Sequence, residues 1–151
     1  MRIIAVLFLW MAVATSIAQE APRAAMTQQR LHEIISETAR NVRVEGNVVA
    51  FQYGEVKLLC ISDPNADRMR IIAPVKRVEE ATSEEILAAM QANFHSALDA
   101  RYAISQGVIF AAFIHPLSPL TAEQVVSAIR QVASARTTFG DSYSGGTLFF
   151  R

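Results

Sequence analysis

Three stretches of the chain place apolar residues at helical spacing, and each follows residues that cap helix N-termini. We predict helices over Gln28–Arg40, from Ser83 to about Leu98, and over Ala122–Arg136. The capping residues are Thr27 for the first helix and two capping boxes for the others, Thr82 with Glu85 and Thr121 with Gln124. The stripes that we expect to be buried are Leu31, Ile34, Ile35 and Thr38; Ile86, Leu87, Met90, Phe94 and Leu98; and Val125, Val126, Ile129 and Val132.

Five further runs favour extended structure, because they are rich in β-branched and aromatic residues and are bounded by turn residues. They are Asn47–Tyr53, Val56–Ser62, Arg68–Val75, Arg101–Ser105 and Val108–His115. The connections are two tight hairpins and one longer turn, at Gly54-Glu55, Gln106-Gly107 and residues 63–67. The last run is apolar at almost every position, which indicates a central strand. Thr147–Phe150 is interpreted as an edge strand or a frayed end.

The predicted order is therefore α-β-β-β-α-β-β-α. Runs of strands separated by single helices predict an α+β fold, in which helices cover one face of an antiparallel sheet. Residues 28–151 have the length of one domain, and we expect them to form a single α+β domain.

The first residues of the chain have a different hydrophobic pattern, in which one cation precedes an apolar run. Arg2 is followed by apolar residues 3–14, and Ala18 ends a stretch of small residues of the kind that a signal peptidase reads. We predict a signal peptide over Met1–Ala18, cleavage after Ala18 and a linker over 19–27. The apolar run is shorter than the roughly 20 residues that span a bilayer, and an uncleaved anchor is the alternative. The mature protein is therefore expected to be periplasmic or secreted.

The composition excludes several classes of function. The chain has 14 Lys and Arg residues and 14 Asp and Glu residues, so nothing in its net charge favours nucleic acid. Its one cysteine, Cys60, cannot form a disulfide within the chain, and stability must come from the core. Residues of apolar type make up 52% of the sequence, which is enough to build that core.

No motif in the sequence specifies a reaction. Cys60 alternates with Leu58 in a predicted strand, which is typical of a buried filler rather than of a nucleophile. The segment Gly140-Asp141-Ser142 is similar to serine hydrolase motifs, but no histidine follows Ser142 to act as its base. We interpret that segment as a flexible, turn-rich surface loop. The histidines lack the spacing of metal ligands: His32, His95 and His115. We therefore predict no catalytic residue, no metal site and no cofactor, and a protein that is not an enzyme.

Two groups of polar residues form the candidate partner surface. Arg68 and Arg70 alternate on one strand face, where they could bind an anion or a carboxylate; solvated strand charges are the alternative. The second group surrounds the junction between the second helix and the following hairpin, where a structural turn network is the alternative. Its members are Asn93, Asp99, Arg101 and Tyr102.

Three stretches of the chain resemble the YbjN family of bacterial sensory-transduction regulator domains. They are Asp67–Ile71, Ala92–Ala103 with its Asn93-Phe94 pair, and His115-Pro116-Leu117 ahead of a capped helix. The resemblance extends from about Leu31 to Gly146. It implies a fold like that of the class I type III secretion chaperones, and a small domain that binds polypeptides or pairs with itself, with no established enzyme chemistry.

These observations together predict an exported, non-enzymatic protein-binding or chaperone-like regulatory module of the bacterial envelope. We expect a protein or peptide partner, with a homodimer as a further arrangement, no nucleic acid, and membrane contact only through an uncleaved leader. The alternative function is a periplasmic small-molecule binder, or an enzyme whose site is built from residues scattered along the chain.

Overall fold

The computed structural model describes residues 24–147, which contain three α-helices, six strands and one short 3-10 helix. The helices are α1 (Gln28–Thr38), α2 (Ser83–His95) and α3 (Ala122–Thr137). The strands are β1 (Arg40–Glu45), β2 (Val48–Tyr53), β3 (Val56–Asp63), β4 (Arg68–Arg77), β5 (Arg101–Ser105) and β6 (Val108–His115). The 3-10 helix is Val78–Glu80. The predicted signal peptide Met1–Ala18 and the end of the predicted last strand lie outside the described residues.

The strands form one antiparallel sheet in the order β1-β2-β3-β4-β6-β5. The predicted α+β class is confirmed, and five of the six strands are those that the sequence predicts. Strand β1 is the addition, because the predicted first helix ends early and Ala39 adopts an extended conformation. Strand β1 is not predicted from the sequence because its side chains are almost all exposed. A strand without a buried face has no clear apolar alternation to detect.

Helices α1 and α3 cover one face of the sheet and build the core with it. Helix α3 packs mainly on β4 and β6, while α1 packs on α3 and reaches β1 and β2. The strands show the alternation that this one-sided burial requires. In β3, for example, Leu58 and Cys60 are buried beneath the helices, and Lys57 between Val56 and Leu58 is exposed.

The predicted buried stripe of α2 is wrong for Leu87, Met90 and Phe94, which face outward, whereas Ile86 is half-buried and packs against the core. Leu87 is 60% exposed, Met90 44% and Phe94 88%, whereas the buried residues of this helix are Ala89 and Ala92. The helix also ends at His95, three residues earlier than predicted. A turn of small residues over 96–100 then leads into β5. The apolar periodicity of α2 therefore marks a core contact at Ile86 and an exposed apolar surface at Leu87, Met90 and Phe94.

The segment after α3 is packed against the domain, in contrast to the flexible loop that the sequence predicts. The Gly145 amide donates to the Ser96 carbonyl at 2.9 Å, and a Cβ at Gly145 would lie 2.1 Å from the Ala97 carbonyl oxygen. Only glycine fits this close approach of two backbones. The ring of Tyr143 contacts that of Tyr102, with ring centroids 6.0 Å apart. The tail is thereby joined to the turn that follows α2.

The domain also begins earlier than the predicted boundary at residue 28. Met26 is buried in the hydrophobic core, and its amide donates to the Ser118 carbonyl at 2.9 Å. The end of the predicted linker is therefore part of the fold. Within residues 24–147, no helix combines the length and the apolar character that crossing a membrane requires.

Candidate functional site

The face of the sheet opposite α1 and α3 is not covered by any element among the described residues, and we call it the open face. Its side chains are fixed by the strand register. One row crosses the whole sheet from the outer strand β1 to the outer strand β5, in the order Arg43, Ala50, Leu59, Ile72, Ala112 and Arg101. A second row runs through Glu45, Val48, Ile61, Arg70 and Ile114.

The centre of the open face is apolar. Leu59, Ile61 and Ile72 are only half-buried there, and Ile114 is 61% exposed. An antiparallel sheet with one solvated face usually alternates apolar and polar residues, because only one face meets the core. In β3 and β4 both faces carry aliphatic side chains. Water contact with so many of them costs free energy, and such a surface is typical of an interaction site.

A concavity of about 630 Å³ lies at the β1 side of the open face. Ala50, Leu59 and Pro74 contribute its apolar surface, and Arg43 and Lys57 bring positive charge to it. Its rim is held in place by the side chains of β1 and β2, since the amide of Asn41 donates to Gln52 Oε1 at 2.9 Å. The cavity is wide enough to receive side chains of a bound molecule and is open to solvent.

Cations outnumber acids on the open face. By register the cations are Arg40, Arg43, Lys57, Arg68, Arg70, Arg77 and Arg101, and the acids are Glu45 and Asp63. Arg77 is paired with Glu79 at 2.6 Å, and none of the other six cations is within ion-pair distance of an acid among residues 24–147. Arg68 donates to the Asp67 carbonyl at 3.0 Å, and Arg101 donates to the carbonyls of Leu98 and Ala100. The remaining donors of each guanidinium are available to a partner.

Three of the six residues of the predicted partner surface therefore lie on the open face: Arg68, Arg70 and Arg101. The structure does not bring the six together, because the other three belong to the junction between α2 and β5. Asn93 receives the Tyr102 amide at Oδ1 (2.7 Å) and donates to the Tyr102 carbonyl (3.1 Å), so its side chain pairs with the edge of β5 as a neighbouring strand would. The Tyr102 ring is buried, and its hydroxyl donates to the Ala135 carbonyl at 2.7 Å.

Gln131 of α3 holds the same junction from the other side. Its Oε1 accepts from the amides of Asp99 (2.8 Å) and Ala100 (3.1 Å), and its Nε2 donates to the Asp99 carboxylate at 3.1 Å. Asn93, Asp99 and Tyr102 thus position β5 and are engaged within the domain. Sequence reasoning missed Gln131, because a lone glutamine on a helix gives no signal of its own.

The remaining polar groups that could carry chemistry are dispersed. Burial raises the pKa of the Cys60 thiol to about 12, so it stays protonated at neutral pH and is a poor nucleophile. Burial also raises the pKa of Tyr102 to about 12. Desolvation lowers the pKa of His32, whose Nε2 lacks a hydrogen-bond partner among the described residues. Within residues 24–147, no three His, Cys, Asp or Glu side chains are grouped as metal ligands.

The sequence analysis missed the apolar residues of the open face, although a signal for them exists. Adjacent positions such as Leu58 and Leu59, or Ile71 and Ile72, are both aliphatic. If helices cover one face of a sheet, the second residue of each such pair must face the other way. The excess of cations there could not be inferred without the register, since Arg43 and Arg101 are far apart in the chain.

The fold is similar to that of two solved structures. A chain in the structure of the HopA1–SchA chaperone–effector complex superposes with a TM-score of 0.57 and 10% sequence identity, covering 72% of this chain and 88% of that one. A chain in the ExsC–ExsE complex gives a TM-score of 0.56 and 12% identity, covering 72% and 86%. The predicted resemblance to a type III secretion chaperone fold is thus confirmed. No protein-family model and no curated protein matches the sequence.

We expect Gln131→Leu to lower the free energy of unfolding by about 1–3 kcal/mol, because the buried Ala100 amide loses its acceptor. The measurement is urea unfolding followed by circular dichroism. The matched control is Gln29→Leu, since Gln29 is exposed and its side chain donates to the Glu33 carboxylate at 3.1 Å. That variant should stay within about 0.5 kcal/mol of the unmodified protein. Equal stability of the two variants would contradict the role of Gln131 at the junction.

Proposed function

We propose that this protein is an exported, chaperone-like module that holds a polypeptide segment on the open face of its sheet. The observation that carries the proposal is the uncovered apolar centre of that face, where Leu59, Ile61 and Ile72 are only half-buried. Contiguous exposed apolar surface of this kind is unfavourable in an isolated monomer and favourable in a binding protein. A polypeptide is the occupant that best combines apolar side chains with backbone groups able to meet the arginines.

The structural comparisons support this proposal at the level of the fold. One of the similar structures is a complex between a chaperone and an effector, so a domain of this architecture is able to present a surface to another polypeptide. The chemistry of the site agrees with a binding role. The two groups with the largest pKa shifts, Cys60 and Tyr102, are buried in the core, and neither lines the concavity of the open face.

Membership of the YbjN family forms part of the proposal. Two of the stretches that carry the resemblance are joined here, because the Asp67 carboxylate accepts from the Ser118 amide at 2.7 Å, just beyond His115-Pro116-Leu117. Asn93 of the third stretch pairs with Tyr102 of the same stretch. These two contacts explain what the residues that carry the resemblance contribute to the fold. A solved YbjN domain that lacks both pairs would argue against the assignment.

We further propose a second copy of the chain as the occupant of the apolar stripe on α2. Leu87, Met90 and Phe94 lie on one face of the helix at helical spacing, and each is exposed. A two-fold contact would place one stripe against the other and remove both from water, as isologous interfaces do. This contact is separate from the open face, so a dimer would leave the polypeptide site accessible.

To test the open face, the full-length protein is produced in the native host with a photoreactive phenylalanine analogue in place of Leu59, and crosslinking is started by light. The control protein carries the same analogue in place of the exposed Ser142. We expect a defined adduct from position 59 and none from position 142, because only the first lies in the apolar centre. The captured protein, once purified, should bind the unmodified chain and lose at least about tenfold in affinity for Ile72→Asp. Equal adducts from both positions, or affinity unchanged by Ile72→Asp, would reject the site.

To test self-association, Phe94→Glu is compared with the unmodified protein by sedimentation equilibrium. We expect the variant to be monomeric, since a carboxylate on each stripe would be desolvated and would face its equivalent. Ser142→Glu adds the same charge at an exposed tail residue and should leave the dimer unchanged. A monomeric unmodified protein at about 100 μM would rule out the second copy as the occupant of α2, since stable dimers have dissociation constants well below that.

To test export, the full-length gene is expressed with a C-terminal tag, and the protein is recovered from separate cell fractions. We expect it in the periplasm or the medium, with Gln19 at its N-terminus after cleavage. A change of Ala18 to a bulky residue such as Phe should block processing, because the peptidase requires a small residue there. Recovery of the uncleaved chain from the cytoplasm would show that export is wrong.

A further inference from the structure

We propose that the open face selects an acidic polypeptide segment, with apolar residues at its centre and carboxylates at both ends. This inference rests on the proposed function, and it specifies the chemistry of the partner. Three observations support this proposal: the excess of cations on the open face, the spacing of those cations across the sheet, and the partial burial of the aliphatic side chains between them.

The first observation is the separation of charge within a chain of zero formal net charge. Among residues 24–147, two cations away from the open face are paired with acids, Arg30 with Glu33 and Glu37 and Lys76 with Glu85, and on the open face Arg77 is paired with Glu79. On the open face, four cations have neither an ion pair nor a side-chain hydrogen bond among the described residues: Arg40, Arg43, Lys57 and Arg70. An anionic partner would supply the charges that this surface lacks.

The acids that do lie on the open face do not neutralise these cations. Asp63 Oδ1 accepts from the amides of Asn65 (2.9 Å) and Ala66 (3.2 Å), so its carboxylate is used in the turn between β3 and β4. Glu45 is at the end of β1, beside the hairpin to β2, and is exposed. Neither acid lies in the row from Arg43 to Arg101. The row from Arg43 to Arg101 therefore carries a cation at each end and no acid among the described residues.

The second observation is the spacing of the cations. Arg43 and Arg101 are the two ends of a row that crosses six strands. Neighbouring strands are about 4.8 Å apart, so the ends are separated by roughly 24 Å. An extended chain of about seven residues spans that distance. A segment with carboxylates at its ends would reach both arginines while its apolar residues meet Ala50, Leu59 and Ile72.

The third observation favours a polypeptide over a membrane surface. Of the aliphatic side chains in the two rows, Leu59, Ile61 and Ile72 are half-buried and Ile114 alone is exposed, so the surface lacks the continuous projecting stripe with which an interfacial helix enters a bilayer. The concavity of about 630 Å³ between Arg43, Lys57 and Pro74 can admit side chains from a partner, which a bilayer cannot offer. Nucleic acid would meet cations but would gain nothing from the apolar centre.

The test uses two synthetic nine-residue peptides that share a centre of Leu, Ile and Phe residues. The acidic peptide has two Glu residues at each end, and the basic peptide has two Lys residues at each end. Binding to protein purified after expression of the whole chain is measured by fluorescence anisotropy. We expect the acidic peptide to bind at least about tenfold more tightly at 50 mM salt, and this preference to shrink at about 500 mM, where charges are screened.

The double variant Arg43→Glu, Lys57→Glu should remove the preference or reverse it. The matched control is Arg130→Glu on α3, an exposed arginine on the helical side of the domain, which should keep the preference. All of these positions are exposed, so folding is expected to persist, and circular dichroism verifies it. A preference that the double variant leaves intact would overturn the proposal.

The outcomes distinguish the selection of acidic segments from polypeptide binding in general. Equal affinity for both peptides, lost in Ile72→Asp, would overturn the selection of acids and leave the polypeptide-binding function in place. Failure of both peptides to bind at about 1 mM would overturn both. Tighter binding to vesicles of phosphatidylglycerol and phosphatidylcholine than to the acidic peptide, lost in the double variant, would replace the polypeptide with a lipid surface.

Discussion

Helix α3 buries its apolar stripe against β4 and β6, and this contact determines where the other elements lie. Val125, Ile129 and Val132 are fully buried there, and α1 reaches the core only by packing on α3 as well as on the outer strands. Both helices pack on the same face of the sheet. The other face therefore remains open among the described residues.

The same helix also fixes the far edge of the sheet. Gln131 of α3 receives the amides of Asp99 and Ala100, while Tyr102 donates its hydroxyl to the carbonyl of Ala135. Asn93 then occupies the outer hydrogen-bonding groups of Tyr102 in β5. An edge strand with free backbone groups can pair with other chains, and this side chain blocks part of that edge. The backbone groups of Tyr102 are thus not available for pairing with another strand.

The open face and the stripe on α2 are both apolar surfaces outside the core of the described domain, and they differ in charge. The stripe of Leu87, Met90 and Phe94 on α2 has acids at its N-terminal end, where Glu84 and Glu85 also favour the helix dipole. The open face has its cations at both ends of the apolar row. Two surfaces of different shape and charge on one small domain suit two different contacts, one with a second copy and one with a partner of opposite charge.

The sequence by itself determined the elements whose apolar residues are buried on one side. The capping boxes of Thr82 and Thr121 fix where α2 and α3 begin, and the turns at Gly54 and Gly107 set the hairpins, because these signals depend only on local backbone geometry. The α+β order followed from them, whereas the type III secretion chaperone-like fold was implied by the resemblance to the YbjN family. Strand β1 gave no such signal, since nothing covers its side chains.

Tertiary structure decided which apolar faces became core. The stripe of α2 has the same periodicity as that of α3, yet α2 lies beside β5 at the edge of the sheet. It fully buries Ala89 and Ala92 and packs Ile86 against the core, while Leu87, Met90 and Phe94 meet solvent. The open face likewise depends on register: Arg43, Leu59, Ile72 and Arg101 come from four strands and share one row only because those strands pair as they do. Periodicity reports that a face is apolar, whereas the packing of the whole domain decides what that face contacts.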